Sequence, residues 1–184
     1  MSKISMGALA AAAIAAGYAG SAAAVQYDVV EETSSVAFVG VQQGTKFNGR
    51  FSDFEAQIDL DPSDPTKGSI VGVVKLESVN TRDPDRDAAL LDADWFAVDQ
   101  YPEARFESTS IEAGENGTYK ANGNLTLKGQ TKPVVMSFTF DGSKFNGTMV
   151  VNRFDFNVGE GWNDTSWVGQ DVTVEVKLDL KPAS

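Results

Sequence analysis

The sequence predicts an all-β protein: a single antiparallel β-barrel of about eight strands with one short helical insert near residues 84–98. Apolar and polar side chains alternate along most of the chain after residue 25, which is the pattern of strands with one buried face. One segment changes to helical spacing, and it stands between two alternating stretches. No linker or internal repeat divides the chain, so one domain is expected.

Each alternating stretch turns one apolar face toward a core. Glycine, proline, asparagine and aspartate between the stretches mark turns, as in an antiparallel sheet that closes on itself. The longest stretches are 54–60, 69–78, 119–129, 133–140 and 171–180, and shorter candidates cover 27–31, 36–42, 104–111 and 145–151.

The helical insert combines apolar, aromatic and acidic residues. Asp83 or Asp85 can cap its start. Its acidic outer face and apolar inner face predict that it lies over one open end or side of the barrel. Its apolar positions are spaced for a short helix or two, and they are Leu90, Leu91, Trp95 and Phe96.

The first 24 residues have the order of a secretory signal peptide. Lys3 supplies a short basic start, an Ala-rich apolar run follows, and small residues stand at Ala22 and Ala24. We predict cleavage between Ala24 and Val25. The alternative is a membrane anchor, but a spanning helix needs ~20 mostly apolar residues. The predicted domain is therefore residues 25–184.

Composition argues against several function classes. The chain has no histidine and no cysteine, which removes the commonest general base, the thiol nucleophile and the usual transition-metal ligands. We therefore expect a protein that is not an enzyme and holds no metal. Without Lys3 the chain has 14 basic and 26 acidic side chains, a net charge of −12, and such a surface repels nucleic acid. A hydrolase working through a pair of carboxylates is the remaining enzyme alternative.

The inward face mixes large and small side chains, which permits two interpretations of the interior. A barrel of about eight strands either fills with its own side chains or holds one small ligand. Inward glycine and alanine favour unfilled space, whereas alternating sizes also suit a solid, tapered core. The alternation alone leaves both open. The residues predicted to line a cavity are Phe38, Phe54, Ala56, Gly72, Phe106, Gly123, Met136, Phe138 and Met149.

Three blocks carry a resemblance to a known family. They are "RDAALLDADWFAVDQYPEARFES", "GNLTLKGQTKPVVMSF" and "VNRFDFNVGEGWNDTSWVGQDVTVEV". Their order, and the "RD", "YP" and "TKP" motifs within them, resemble the YceI-like family over about residues 25–180. The chain departs from many relatives at Ala89 and Lys128, where those relatives have histidine.

The resemblance implies a lipocalin-like barrel in the bacterial periplasm that binds a long apolar lipid. The implied ligands are polyisoprenoids, isoprenoid quinones and other long amphiphiles, and no further cofactor is expected. A protein that binds such lipids is also expected to contact the inner membrane transiently. The resemblance favours the cavity over the solid core. The alternative function is a stress-adaptation or interaction module with a solid core. The implied lid at the cavity mouth comprises Leu90, Leu91, Trp95, Phe96, Trp162 and Trp167, with surface anchoring as the alternative for the last two.

Few cations stand where a charged headgroup would lie. Arg82 and Arg86 are the candidate headgroup contacts, and Lys128, Lys132 and Arg153 are the other cations near the mouth. A pyrophosphate needs convergent cations or donors to offset its desolvation. A neutral quinone needs only a hydrogen bond or two. We therefore predict a preference for a neutral-headed isoprenoid.

Overall fold

The alternating stretches pair into a closed antiparallel β-barrel in the computed structural model, which describes residues 25–183. The predicted leader, residues 1–24, lies outside the described residues. Within the described part the strands are β1 Val25–Val29, β2 Ser35–Gln42, β3 Thr45–Phe51, β4 Phe54–Leu60, β5 Ser69–Lys75, β6 Val79–Asn80, β7 Glu103–Ala113, β8 Tyr119–Leu127, β9 Gln130–Phe140, β10 Lys144–Asn152 and β11 Asp171–Pro182.

These strand segments occupy eight positions around the barrel because three positions are interrupted. β1 and β2 lie end to end along β11, separated by a 3₁₀ turn at Glu31–Thr33. β3 and β4 are separated by residues 52–53, and β5 and β6 by a 3₁₀ turn at Leu76–Ser78. β1 pairs with both β4 and β11, which closes the ring. The predicted all-β barrel of about eight strands is confirmed.

The helical insert forms one short helix, α1, at Pro84–Leu91. Asp83 caps it, since its carboxylate accepts from the amide of Arg86 at 3.2 Å, and proline at the first helical position needs no amide partner. Residues 92–100 continue as turns, fixed by hydrogen bonds such as that from the Phe96 amide to the Leu90 carbonyl at 3.0 Å. No helix among residues 25–183 is both long and apolar enough to cross a bilayer.

Three segments meet at one end of the barrel, here called the helix end: α1 with its following turns, the β2–β3 turn, and the connection between β10 and β11 at residues 153–170. The amide of Gln43 in the β2–β3 turn donates to the carbonyl of Trp167 at 2.8 Å, and the Gly169 amide donates to the Val41 carbonyl at 2.9 Å. These bonds tie the long connection to the barrel wall.

The opposite end, here called the packed end, is filled by aromatic side chains. The ring of Phe138 stacks on Phe145 with centroids 4.9 Å apart and on Tyr119 at 5.4 Å. Tyr27 meets Phe140 edge-on at 5.3 Å. The first residues of β1 and the last residues of β11 pair here. Such a well-packed cluster stabilises this half of the barrel through buried apolar area and ring contacts.

Inward glycines make room for rings that cross the barrel. A Cβ at Gly49 would lie 2.2 Å from the Phe38 ring, and one at Gly123 would lie 2.6 Å from both the Phe106 ring and the Glu107 carbonyl oxygen. Gly72 differs, because a Cβ there would meet nothing within 4 Å. Most small inward residues therefore accommodate neighbours, and Gly72 borders empty space.

This difference predicts different effects on stability for two Gly→Ala substitutions on the inward face. Gly123→Ala should lower the free energy of unfolding by about 1–3 kcal/mol, because the new methyl group overpacks against Phe106 and backbone. Gly72→Ala should leave stability unchanged or raise it by roughly 0.4–1 kcal/mol through reduced freedom of the unfolded chain. Urea denaturation of both variants measures this, and equal losses would contradict the open space at Gly72.

Candidate functional site

An apolar cavity occupies the half of the barrel next to the helix end. Its volume is ≈ 190 Å³. Among its lining residues, Glu55 and Arg153 are the ionisable ones, and Glu55 is exposed on the outward face of β4. The packed end is filled, and α1 with its following turns covers the cavity at the helix end. The geometry suits a ligand held by burial of apolar surface.

The structure brings six of the nine predicted cavity residues together on the wall. They come from six different strands, so no short sequence motif identifies the site. These residues are Phe38, Ala56, Gly72, Phe106, Met136 and Met149. Their part in ligand binding stays a prediction.

Three predicted cavity residues lie elsewhere. Phe138 is buried in the packed end, between Phe145 and Tyr119. Gly123 is covered by the Phe106 ring, so it borders no empty space. Phe54 begins β4 directly after the break at residues 52–53, and its half-buried ring packs against the core without reaching the wall. The alternation correctly predicted that all three residues face inward. It does not predict how far along the barrel axis each residue lies.

Of the predicted lid residues, too, some line the cavity and others do not. Leu90, Trp95 and Phe96 line the cavity from α1 and its following turns. Leu91 is half-buried and packs against the core, but it is not one of the residues of the cavity wall. The insert therefore covers the cavity, as its apolar inner face predicts.

Trp162 and Trp167 do not line the cavity. Both are large exposed side chains, at 47% and 53%, on the connection between β10 and β11. The Trp162 ring lies 6.2 Å from the ring of Trp95, so it extends the lid outward. Both indoles are therefore exposed at the helix end, outside the cavity wall.

The two candidate headgroup cations differ in placement. Arg86 lies over the ring of Phe47, a lining residue, with its guanidinium carbon 4.2 Å from the ring centroid. Its side chain also donates to Asp83 at 2.9 Å and to Gln42 at 3.1 Å. Arg82 is exposed on the turn before α1. Arg86 is therefore a residue of the cavity rim whose charge is already paired.

Several wall residues were missed by the sequence analysis, including Phe47, Phe51 and Phe145. Phe47 and Phe51 lie on β3, whose alternation is obscured by Gly49 and by charged neighbours. Phe145 lies on the same inward face as Met149 in a predicted strand, so the alternation could have identified it as a wall residue.

Comparison with known proteins places this barrel in a family. Residues 27–180 match the family model described as "YceI-like domain". The chain belongs to the YceI-like family. A UPF0312 protein of Pseudomonas syringae pv. tomato is 32% identical, over 85% of this chain and 88% of that protein. A UPF0312 protein of Pseudomonas savastanoi pv. phaseolicola is 33% identical, over 76% of this chain and 80% of the relative.

Solved structures share the YceI-like architecture. The crystal structure of BcnA from Burkholderia cenocepacia has a TM-score of 0.78 and 31% identity, covering 84% of this chain and 99% of that one. A polyisoprenoid-binding domain from Saccharophagus degradans, implicated in plant cell wall breakdown, has a TM-score of 0.63 and 18% identity, covering 88% and 99%. At that identity the second likeness concerns the fold alone.

Arg153 organises the helix end of this YceI-like barrel. Its side chain is 3% exposed, and all five of its N–H donors are used. Nε donates to the Gly169 carbonyl at 3.0 Å, while the two terminal nitrogens donate to four further carbonyls of the same connection, those of Val158, Gly159, Trp162 and Val168.

The surroundings of Arg153 are apolar rather than acidic. Its guanidinium carbon lies 4.2 Å from the Phe154 ring centroid and 5.8 Å from that of Trp95, distances at which a cation is attracted to an aromatic face. Burial lowers the pKa of the Arg153 guanidinium, although an arginine stays charged at neutral pH. The charge is balanced by carbonyl dipoles, and no donor is left for a ligand.

A second buried cation supports the same region. Lys128, in the β8–β9 turn, donates from Nζ to the Asp94 carbonyl at 3.0 Å and to the Asn157 carbonyl at 2.7 Å. It thereby links the turns after α1 to the β10–β11 connection. Lys128 is thus a structural residue of the helix end rather than an exposed cation at the mouth.

The five hydrogen bonds predict a large effect of removing the guanidinium. Each buried carbonyl left without a donor costs about 1–3 kcal/mol, so Arg153→Met should lower the free energy of unfolding by several kcal/mol. The three tryptophans of the chain, Trp95, Trp162 and Trp167, all lie at this end, so the native emission spectrum should also shift to longer wavelength.

The matched control is Arg105→Met, whose exposed side chain pairs with Glu107 at 3.3 Å on the outer face. A surface pair contributes roughly 0–1 kcal/mol, so this variant should keep wild-type stability and emission. Urea denaturation and tryptophan fluorescence measure both effects. Equal behaviour of the two variants would show that Arg153 does not organise the connection.

Proposed function

We propose that this YceI-like protein is a periplasmic binding or carrier protein that holds the apolar part of an isoprenoid lipid or isoprenoid quinone. The observation that supports the proposal is the cavity of ≈ 190 Å³, whose wall is apolar except for Arg153, with all its donors occupied, and Glu55, which is exposed on the outward face of β4. Burying each CH₂ of a ligand contributes about 0.8 kcal/mol, so an apolar chain binds here without a charged contact. The likeness in fold to a polyisoprenoid-binding domain agrees with this ligand class.

The two alternative functions fit the site less well. An interaction module with a solid core needs no cavity, and this barrel has one. A hydrolase needs two carboxylates that converge on the substrate, and Glu55 is the single acid among the lining residues of the described chain. Its exposed position on the outward face of β4 favours binding over catalysis.

Three cations of the helix end, Arg153, Lys128 and Arg86, already have partners, which favours a neutral headgroup. All donors of Arg153 are occupied by backbone carbonyls, Lys128 is buried against two more, and Arg86 is paired with Asp83. A pyrophosphate would have to break such contacts to offset the loss of its own hydration. A quinone asks for one or two hydrogen bonds, which exposed groups at the rim can supply.

The first experiment identifies the ligand. Protein purified from its native host is extracted with organic solvent, and the extract is analysed by mass spectrometry. We expect an isoprenoid lipid in stoichiometric amount. We also expect the intact mass of the protein to be that of a chain beginning at Val25. The delipidated protein is then titrated with a ubiquinone-type ligand and a polyprenyl pyrophosphate of matched tail length at two salt concentrations, and we expect the quinone to bind more tightly.

Gly72→Leu is the control for the site of binding. Its side chain extends into the empty space beside Gly72, so it should weaken quinone binding more than tenfold while the protein stays folded. Empty extracts together with no quinone binding would refute the carrier function. Tighter pyrophosphate binding that weakens as salt rises would refute the neutral headgroup and indicate an anion site at Arg82 and Arg86.

Contact with a membrane forms a second part of the proposal. A carrier must exchange its ligand with a bilayer, and Trp162 and Trp167 are exposed at the helix end, next to the cavity. Indole favours the interface between lipid and water. The connection that carries them includes Glu160 and Asp164, and its cation Arg153 is buried. A zwitterionic surface therefore suits this region better than an anionic one.

Sedimentation with lipid vesicles tests the contact. We expect the protein to bind phosphatidylcholine vesicles, and to bind them less when phosphatidylglycerol is added. Replacing Trp162 or Trp167 with alanine should weaken partitioning by roughly tenfold each. Val150→Ala, which shortens an exposed apolar side chain on the outer face of β10, is the matched control. Unchanged binding of both tryptophan variants would show that the indoles do not contact the membrane.

A further inference from the structure

We propose that Phe145 is the floor of the cavity and sets the length of apolar chain that the barrel encloses. This inference rests on the proposed function, because it concerns the depth of the same site. Phe145 is a lining residue with 1% of its surface exposed. Its ring stacks on Phe138 with centroids 4.9 Å apart and planes 22° apart, and Phe138 does not reach the cavity. The Phe145 ring therefore lies between the cavity and the Phe138 ring of the packed end.

The position of the Phe145 ring is fixed from several sides. A Cβ at Gly147 would lie 3.0 Å from the Phe145 ring and 2.7 Å from the sulfur of Met136, so both side chains pack over that glycine. In the sheet Phe145 is paired with Phe140 on one side and Leu178 on the other. Off-rotamer movement of such a ring is costly in a packed interior, so an entering ligand meets a rigid surface.

Behind this surface the barrel is occupied by buried side chains. Phe138, Ile58 and Leu60 are 2%, 1% and 0% exposed and lie outside the cavity wall. An apolar cavity of about 150 Å³ takes up one benzene molecule. The cavity of ≈ 190 Å³ therefore encloses roughly one substituted ring or about two isoprenoid units. The rest of a longer chain extends past the helix end.

This geometry predicts how affinity depends on chain length. Each buried CH₂ tightens binding about fourfold, and this gain ends when the chain tip reaches Phe145. A series of 1-alkanols from hexanol to tetradecanol, titrated by isothermal calorimetry into the delipidated protein, measures it. The wild-type dissociation constant should fall about fourfold per carbon and then reach a plateau. In Phe145→Ala the plateau should move to longer chains by several carbons.

Two further variants distinguish an increase in cavity depth from a general loosening of the core packing. Phe138→Ala removes a ring of the same size behind the floor, and it should leave the plateau at the wild-type length. Phe145→Leu keeps most of the buried volume, so it should fold like the wild type and move the plateau by one or two carbons. If the Phe145→Ala protein does not fold, Phe145→Leu still decides the question.

The outcomes distinguish this inference from the proposed function. Alkanol binding with the same plateau in wild type, Phe145→Ala and Phe145→Leu would overturn the role of Phe145 and leave the binding function intact. A plateau that moves equally in Phe138→Ala would overturn it as well. Failure of the wild-type protein to bind any alkanol or quinone would instead refute the proposed function.

Discussion

The helix end of the barrel depends on one side chain, that of Arg153. The connection between β10 and β11 runs from residue 153 to 170 and contains one short 3₁₀ turn, Arg153–Phe156, so most of its carbonyls have no neighbouring strand to bond with. Five of them bond to a single guanidinium instead. Buried carbonyls without donors are rare because they are costly, and this arginine supplies the donors for five carbonyls of the connection. The connection that carries both exposed indoles is therefore held together by Arg153, which also lies next to the ring of Trp95 in the lid.

A buried charge so close to an apolar cavity would ordinarily attract an anion. Here the guanidinium is surrounded by carbonyl oxygens and aromatic faces, whose partial negative charges stabilise it where they stand. Two backbone carbonyl oxygens likewise accept hydrogen bonds from the ammonium group of Lys128 and stabilise its charge. The site thus contains cations that build the structure, and their charge is already balanced when a ligand enters. This is the electrostatic reason for expecting a neutral ligand.

Much of the fold follows from the two-residue period of the strands, whereas the depth of the cavity does not. Alternation and turn residues predict most strands, and helical spacing with a capping aspartate predicts α1. β3 was not predicted because its inward positions are Phe47, Gly49 and Phe51, and the glycine is compensated by the ring of Phe38 on β2. Parity assigns Phe138 and Met149 to the same inner face, yet one lies in the packed end and the other on the cavity wall. That difference arises from long-range packing between strands, which no local pattern records.

The pairing of β1 with β11 has a consequence for how the protein can be attached to anything else. Tyr27 is paired with Pro182, and the amide of Ala183 donates to the carbonyl of Gln26 at 2.9 Å, so the beginning and the end of the folded domain lie side by side at the packed end. A barrel still tethered to a membrane through a segment before Val25 would therefore hold its lid and indoles on the side facing away from that membrane. Release from such a tether lets the molecule turn over, and the same geometry makes either terminus a suitable point for attaching a label or a surface without obstructing the cavity.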